Sequence, residues 1–372
     1  STMESKNIDI IGSGTIGAYT GYLLGKQGYN VTLYEDHKKI GEPCHCTGII
    51  TKSFLDMVHL KKGILLNKLS RVKVVGPDGN STILKTNDIV VDRIKLDQYF
   101  TDLAVEHGAQ LKKEHKLTEV NPQQQTISIQ NCEKSFTKKY STLIAADGPN
   151  SKVFPILNPK IKRKPWYGTQ AVIKGDFDKE MYEAYLNNDY AKGFFAWVVP
   201  ESANSAVVGL AVHDQPSLHF QTFMKRRFGN NFKDNILSYR GGLIPLHYKN
   251  AVCQKNNIYL VGDAGGHVKA TTGGGIIPGM KAAQALVRSI KTKKSYDKLW
   301  RKYAGFNLYS HLKIRQTLDK FSDKDYNKLI KLMNKDRAKK VMAQSDREYP
   351  ATFAAKLLLA EPRLLQFDKH IF

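Results

Sequence analysis

A glycine-rich turn near the start of the chain constrains the fold more than any other feature. The apolar run at residues 8–11 leads into Gly12, Gly14 and Gly17, which have the spacing GxGxxG. The first glycine permits a tight turn, the second lets the backbone approach a pyrophosphate, and the third lets a helix pack on the strand. The next apolar run ends at Glu35, whose carboxylate can hold a ribose hydroxyl. This pattern predicts a βαβ unit that binds an adenine dinucleotide.

Two glycine-rich segments late in the chain extend this prediction. Residues 258–263 read as a buried strand that ends on Gly262 and Asp263, and three glycines at 273–275 precede Ile276. The Asp263 carboxylate can accept hydrogen bonds from the ribityl hydroxyls of a flavin. Backbone N–H groups of the three glycines, together with a helix N-terminus, can face the edge of a flavin ring. The alternative is a purely structural glycine-rich start of a helix.

An early βαβ unit whose sheet is completed by late strands is more typical of FAD enzymes than of simple NAD dehydrogenases. We therefore predict an α/β protein with a Rossmann-like FAD-binding domain, an inserted antiparallel β-sheet substrate domain and a helical C-terminal region. The expected FAD-binding domain comprises residues 1–65, 86–155 and 240–300. Residues 66–85 and 156–239 would form the substrate domain, and residues 301–372 the basic helical region.

Three motifs, in their order and spacing, resemble the flavoprotein group of para-hydroxybenzoate hydroxylase: the glycine turn at 12–17, Ala146-Asp147-Gly148 and Gly262-Asp263. Within that group the chain resembles the geranylgeranyl reductase family over about residues 7–300. The loop at 39–46, the segment at 91–93, the spacing from 262 to 275 and the aromatic motif at 195–200 carry the resemblance. Phe195, Val199 and Thr47 depart from the family pattern, which has Tyr, Phe and Gly at these positions.

The glycine turn predicts FAD contacts at Gly12 and Gly14. The resemblance implies further contacts at Gly17, Glu35, Cys46, Thr47, Ile49, Arg93, Asp263, Gly275 and Ile276, and a contact of the Leu117 backbone with the adenine. It also implies that the motif at 195–200 contacts substrate through Phe195, Trp197, Val199 and Pro200. Phe195 and Trp197 are expected on one face of a strand, because side chains on a strand alternate. The other aromatic residues of the second domain are better explained as sheet core.

Cys46 lies in the cluster Cys44-His45-Cys46, which has three possible roles. With no matching pair elsewhere, the cluster is poor evidence for zinc, so no metal is expected. Cys46 is either a structural cysteine or a thiol beside the substrate that supplies shape or a proton. The second possibility makes it the candidate catalytic side chain, although FAD would carry the hydride chemistry.

The predicted activity is flavin-dependent reduction of isolated double bonds in a polyprenyl (geranylgeranyl) chain of a membrane lipid or its precursor. The alternative is an FAD-dependent monooxygenase acting on an aromatic or quinone-type substrate. A halogenase-like flavoprotein is a further rival, but its tunnel lysine and tryptophan motif have no clear match. Because the chain has no second nucleotide fingerprint, we expect an external electron donor, NADPH or ferredoxin.

The chain has 372 residues and a formal net charge of +23. Residues 281–372 hold 22 Lys and Arg against 9 Asp and Glu. No nucleic-acid-binding motif accompanies this charge, so no nucleic-acid partner is expected. The alternatives are a solvated basic surface and a site for an anionic membrane. For the membrane alternative, Lys328, Lys331, Lys335 and Lys339 are expected on one helical face, and the protein is expected to be cytoplasmic and peripheral at the inner face of the membrane.

Overall fold

A computed structural model describes residues 6–344 and 361–370 of the chain. The strands are β1 (Asn7–Ile11), β2 (Asn30–Glu35), β3 (Ile49–Thr51), β4 (Leu65–Val75), β5 (Ser81–Val91), β6 (Gln110–Lys113), β7 (Lys116–Asn121), β8 (Thr126–Gln130), β9 (Ser135–Lys139), β10 (Thr142–Ala145), β11 (Trp166–Lys174), β12 (Met181–Tyr185), β13 (Ala196–Pro200), β14 (Ser205–Val212), β15 (Ile236–Ile244), β16 (Gln254–Lys255) and β17 (Ile258–Leu260).

The α-helices are α1 (Thr15–Lys26), α2 (Phe54–Met57), α3 (Arg93–Glu106), α4 (Phe154–Leu157), α5 (Asn188–Ala191), α6 (Pro216–Phe228), α7 (Ile276–Thr292), α8 (Tyr296–Trp300), α9 (Phe306–Leu318), α10 (Asp323–Met333) and α11 (Asp336–Ala343). A π-helical turn (Arg301–Gly305) joins α8 to α9, and 3₁₀ turns cover Phe232–Asn235, Gly262–Gly265 and Pro362–His370.

The first sheet has the strand order β16-β17-β10-β1-β2-β6, with β1 paired in parallel to both β2 and β10. Only β16 at the edge runs antiparallel. Strand β1 is buried from Ile8 to Ile11, as expected for a parallel strand covered on both faces, and its buried Asp9 is paired with Lys138. Its Ile8, Ile10 and Ile11 are buried, and α1 packs against both α3 and α7. The glycine turn after β1 and the loop after β17 therefore meet at the carboxyl ends of one parallel sheet.

The second sheet has eight strands in the order β15-β11-β14-β13-β12-β4-β5-β3 and is antiparallel except between β12 and β4. One face packs against α6, which buries Phe220, Phe223 and Met224 there. The opposite face, called here the inner face, carries a separate aromatic cluster. The predicted fold class, a Rossmann-like domain with an inserted sheet and C-terminal helices, is confirmed. The predicted domain division stays a prediction, although the sheet also contains β3 and extends along β5 to Val91.

The described C-terminal helices pack on the second sheet. α10 and α11 contact β5, and Asn327 Oδ1 accepts a 3.1 Å hydrogen bond from the Asp78 backbone N–H in the β4–β5 turn. The expectation of one lysine face is wrong. Helix α10 ends at Met333, and Lys335 has extended backbone (φ −70°, ψ 139°) as the residue preceding α11. The exposed lysines therefore lie on two separate helices.

Every helix within residues 6–344 and 361–370 is too short or too polar to cross a membrane.

Candidate cofactor and substrate site

The glycine turn between β1 and α1 leaves space for a ligand at one position only. Gly12 has φ +97°, and a β-carbon there would collide with the Ala146 carbonyl. A β-carbon on Gly17 would collide with the Gly12 carbonyl, so this glycine is needed for close packing of helix and strand. At Gly14, the residue before α1, a β-carbon would meet nothing within 4 Å. The open side of the turn, at the helix N-terminus, suits a pyrophosphate.

Glu35 ends β2 beside this turn and is held by it. Its Oε2 accepts a 2.9 Å hydrogen bond from the Ser13 backbone N–H, and its Oε1 accepts one of 3.1 Å from the His37 backbone N–H. Burial raises the pKa of Glu35, against the opposing effect of these donors. Asp36 and His37 bring further ligating atoms near Glu35, but both Glu35 oxygens already accept hydrogen bonds. The carboxylate lies where a ribose hydroxyl of a dinucleotide is expected.

Arg93 opens α3 on the other side of the turn. Its Nη2 donates to Thr15 Oγ1 at 2.8 Å and lies 3.7 Å from Asp97 Oδ1. Burial lowers the pKa of Arg93, but neighbouring Cys46 and Asp97 raise it by more, so the guanidinium stays charged. Its buried Nε has no hydrogen-bond partner within the described part of the chain. A buried donor without a partner on a charged group indicates space for a polar ligand.

Arg163, which the sequence analysis did not identify, links the Asp147-Gly148 motif to the Gly262-Asp263 motif. Its Nη2 donates to the Asp263 carbonyl at 2.6 Å, and its charge also acts on Asp147. Burial raises the pKa of both carboxyl groups, and Arg163 opposes that effect. Among the residues that the structure describes, Arg163 Nη1 and Asp147 Oδ1 are buried without partners. These orphaned atoms, with Arg93 Nε, fit a ligand that carries phosphates and hydroxyls.

The loop before α7 completes the cofactor side of the site. Gly275 immediately precedes the helix, and Gly273 has φ +74°. A β-carbon on Gly275 would stand 2.8 Å from Asp263 Oδ1, so the carboxylate and the helix N-terminus share one small space. Ile276 is buried at the first position of α7. Together with the turn at Gly14, these residues fit an FAD that extends from Glu35 to the start of α7.

The loop at 41–48 connects the cofactor side to the second sheet. Thr47 Oγ1 donates a 2.5 Å hydrogen bond to Gln170 Oε1, and Gln170 Nε2 donates to the His45 carbonyl at 3.2 Å. The Cys46 Sγ accepts from the Gly48 backbone N–H at 3.3 Å, and the Cys44 Sγ donates to the Cys46 carbonyl at 3.6 Å. The two thiols thus face backbone groups of their own loop, and Gln170 anchors that loop to β11.

Gln170 and Trp197 are neighbours on the inner face. Gly209 pairs with both residues, and a β-carbon on it would lie 2.6 Å from Gln170 Cγ and 2.9 Å from Trp197 Cζ2. The absence of a side chain at 209 therefore lets the indole lie against Gln170. The Trp197 ring is 5.6 Å from that of Phe195, which stacks on Phe194 at 4.7 Å. The structure thus brings Thr47 and the aromatic motif to one place.

The same aromatic cluster reaches the cofactor loop. A β-carbon on Gly273 would lie 3.5 Å from Phe194 Cζ and 3.0 Å from Ile244. Ile49 and Val199 pack into this inner-face cluster, whereas alternation along β13 puts Pro200 on the α6 side with Val198. We therefore do not carry the predicted substrate contact of Pro200 into the proposal below.

Leu117 lies apart from the aromatic cluster. Its side chain is buried in the core of the first domain, on β7. The segment that precedes it runs beside the end of β2, where the His115 N–H donates to the Glu35 carbonyl at 2.9 Å. Its predicted contact with the adenine through the backbone stays a prediction.

An open groove of about 440 Å³ adjoins the 41–48 loop. Its walls include Pro43, Cys44, His45, Ile94, Tyr239 and Arg240. Arg240 pairs with Gln170 across β15 and β11, so the groove leads toward the Gln170–Trp197 contact.

Comparison with known proteins agrees with this fold. Residues 10–54 match the family described as NAD(P)-binding Rossmann-like domain. The chain is 26% identical to digeranylgeranylglycerophospholipid reductase 1 of Methanococcoides burtonii, over 97% of this chain and 94% of the relative. It is 25% identical to the digeranylgeranylglycerophospholipid reductase of Methanocaldococcus jannaschii, over 98% of each chain.

A solved structure of a geranylgeranyl bacteriochlorophyll reductase-like protein from Thermoplasma acidophilum has the same fold. It superposes with a TM-score of 0.80 at 19% identity, over 98% of this chain and 99% of that one. The resemblance to the geranylgeranyl reductase family that the motifs indicated is therefore confirmed.

Proposed function

We propose that this protein is an FAD-dependent reductase of isolated double bonds in a polyprenyl chain, specifically a geranylgeranyl chain of a membrane lipid or its precursor. The observation that carries the proposal is the approach of Gly273 to Phe194, whose ring stacks on Phe195 and lies edge-on to Trp197. A loop suited to the edge of a flavin ring here borders a buried, mostly apolar wall. The full-length relatives named as digeranylgeranylglycerophospholipid reductases support the substrate class.

Each part of the site has a role in this reaction. Glu35 would hold the adenosine ribose, Arg93 and Arg163 the phosphates, and Asp263 the ribityl hydroxyls. When bound and reduced, FAD supplies hydride to one carbon of the alkene. An isolated alkene is a poor hydride acceptor, so alignment with the flavin and exclusion of water must supply much of the rate. Phe195, Trp197 and Val199 would provide this alignment by packing against the prenyl chain.

Cys46 and Thr47 lie at the junction of the two halves. Thr47 is fixed by Gln170, and Cys46 by the Gly48 backbone N–H. We propose that this loop closes the site over the reacting double bond, with Cys46 as the candidate to supply shape or a proton.

The open groove beside the loop would admit the lipid or the electron donor, which is NADPH or ferredoxin. The exposed lysines of α10 and α11 would hold the protein at the cytoplasmic face of an anionic membrane.

An anaerobic turnover experiment tests the proposed reaction. The FAD-loaded protein is reduced chemically, mixed with a geranylgeranyl glycerophospholipid or geranylgeranyl diphosphate, and the product is measured by mass spectrometry. We expect a gain of two hydrogens for each double bond reduced, without oxygen. Product that forms only with oxygen and gains an oxygen atom would instead show the monooxygenase alternative.

A further inference from the structure

Arg315, on α9, contacts both halves of the site although it lies in the C-terminal helical region. Its side chain is 4% exposed. The guanidinium Nε donates to the Ala270 carbonyl at 3.1 Å and Nη2 to the Thr271 carbonyl at 3.0 Å. The Nη1 atom donates to the Gly193 carbonyl at 2.7 Å. One side chain therefore joins the backbone of the cofactor loop to the backbone that leads into the aromatic motif.

Two further contacts strengthen this junction. The Arg315 Cζ lies 5.0 Å from the Phe194 ring centroid, within the range of a cation–π interaction. One turn earlier on α9, His311 Nδ1 lies 2.6 Å from Thr271 Oγ1. Helix α9 thus holds Thr271 through both its backbone and its side chain. Thr271 lies two residues before Gly273, and Gly193 lies two residues before Phe195.

Geometry explains why this residue is an arginine. The planar guanidinium presents five N–H donors in a fixed fork, so three carbonyls in different directions can be bound at once. A lysine ammonium is a compact point charge and cannot reproduce that arrangement. The nearby Asp319 carboxylate, 3.6 Å from Nη1, partly offsets the charge of the group.

We infer that Arg315 is a positioning residue: it fixes the aromatic wall against the cofactor loop and so determines which double bond is presented for reduction. The claim that Arg315 affects the choice of double bond rests on the proposed function. The claim that Arg315 positions the cofactor loop is independent of it, because Ala270 and Thr271 lie just before the glycines that precede α7. Without the Arg315 guanidinium, the backbone segments at 270–271 and at Gly193 would no longer be held together. FAD affinity would then fall, and the prenyl chain would be aligned less well with the flavin.

The test compares Arg315→Lys and Arg315→Met with the matched variants Arg301→Lys and Arg301→Met. Arg301 is also a C-terminal arginine bound to backbone, donating 2.8 Å to the Ala251 carbonyl, but it contacts neither loop. FAD affinity is measured by titrating the apoprotein, folding by thermal unfolding, and product composition as the ratio of partly to fully reduced chains. That ratio does not depend on the fraction of protein that is folded.

For both Arg315 variants we expect FAD affinity to fall about ten-fold, the effect of losing hydrogen bonds from a charged group, and the proportion of partly reduced chains to rise. The Arg301 variants should change only the unfolding temperature. Equal FAD affinity in Arg315→Lys and wild type, or equal loss in the Arg301 pair, would overturn the inference. If the wild-type protein reduces no prenyl chain, the proposed function fails, while the FAD titration still decides the role of Arg315.

Discussion

The Asp263 Oδ1 atom lies 2.8 Å from the point where a β-carbon on Gly275 would stand. The two residues are twelve positions apart in sequence and belong to different elements, a 3₁₀ turn after β17 and the start of α7. A glycine at 275 is therefore required by a neighbouring carboxylate rather than by backbone strain, because Gly275 has an ordinary φ of −119°.

The first prediction follows from this contact. Gly275→Ala should displace the Asp263 carboxylate and lower FAD affinity at least about ten-fold, the effect of one charge-assisted hydrogen bond. Asp263→Ala should have a similar effect by removing the acceptor. FAD content and affinity are measured on purified protein, with Gly21→Ala as a control because Gly21 lies within α1 and a β-carbon there would make only ordinary contacts with Leu33 and Val31. Normal FAD affinity in both variants would mean that FAD does not use this loop.

Replacing Glu35 should weaken the binding of FAD through its adenosine part. Glu35→Ala removes the carboxylate that accepts from Ser13 and His37, and we expect FAD binding to lose about 1.5–3 kcal/mol. The exposed neighbour Asp36 provides the control, because Asp36→Ala removes an equal charge one residue away. Titration of the apoproteins with FAD distinguishes the two. An equal effect at both positions would show a general charge effect instead of a specific contact.

The inner face of the second sheet should determine which double bonds are reduced. Trp197→Phe and Phe195→Leu should alter the pattern of reduced double bonds while FAD content stays normal. Phe223→Leu is the control, since Phe223 is a buried aromatic residue that packs between α6 and the opposite face of the sheet. Mass spectrometry with fragmentation locates the reduced bonds. An unchanged pattern in the first two variants would remove these side chains from the substrate path.

Mild acid should weaken both the fold and FAD binding through His267. Burial lowers the pKa of His267 from 6.5 to about 3, and its Nδ1 accepts from the Gly262 N–H at 3.1 Å. Below pH 6.5 the unfolded chain gains a proton that the folded protein excludes, so stability present above pH 6.5 is lost as the pH falls. The loss should reach about 2 kcal/mol by pH 5. Buried His247 has a lowered pKa from burial and acts in the same direction.

Denaturant unfolding of wild type and His267→Gln at pH 7.5 and 5 tests this contribution. The variant should lose less stability between the two pH values, whatever its stability at pH 7.5. An identical pH dependence in both proteins would assign the acid sensitivity to other groups.

Membrane binding should depend on two separate lysine groups. Exposed Lys328 and Lys331 lie on α10, while exposed Lys339 and Lys340 lie on α11. Each basic residue near an anionic leaflet contributes about 1 kcal/mol, so either pair changed to glutamate should reduce vesicle binding at least ten-fold. Co-sedimentation with anionic vesicles, at low and high salt, measures the effect.

A control variant changes the exposed Lys160 and Lys162, which lie outside the C-terminal helices, to glutamate. Equal loss in the control pair would show that total charge matters more than these two helices. Equal binding of the wild-type protein to neutral and anionic vesicles would exclude the electrostatic mechanism.

The sequence predicted the cofactor half of the site better than the substrate half. Gly12 has φ +97° and Gly17 packs on the Gly12 carbonyl, so both roles depend on the local geometry of the turn, which a motif specifies directly. Arg163 and Gln170 act through contacts with residues about 100 or more positions away, so no local pattern identifies them. A resemblance could find Trp197, but its contact with Gln170 depends on Gly209, one strand away.

For the C-terminal lysines, the sequence predicted one shared helical face that the structure does not have. Residues 328–339 have helical spacing in sequence, but α10 ends before Asn334, whose side chain donates a 3.0 Å hydrogen bond to the Ser81 carbonyl of β5. Periodicity alone cannot show such a break. The residues beyond 344 that belong to the same basic region lie outside the described part of the chain, apart from 361–370.

The strand order of the first sheet also determines when the protein can acquire its cofactor during synthesis. Strand β1 pairs with β10, and β10 pairs with β17, so the sheet closes only after residue 260 has left the ribosome. The loop at Gly275 and the first turns of α7 come later still. A nascent chain therefore carries the glycine turn long before it can retain FAD, and cofactor capture marks a chain that has been synthesised beyond α7. Chains that stop before α7 should remain colourless, which makes flavin colour a simple indicator of translation past this helix.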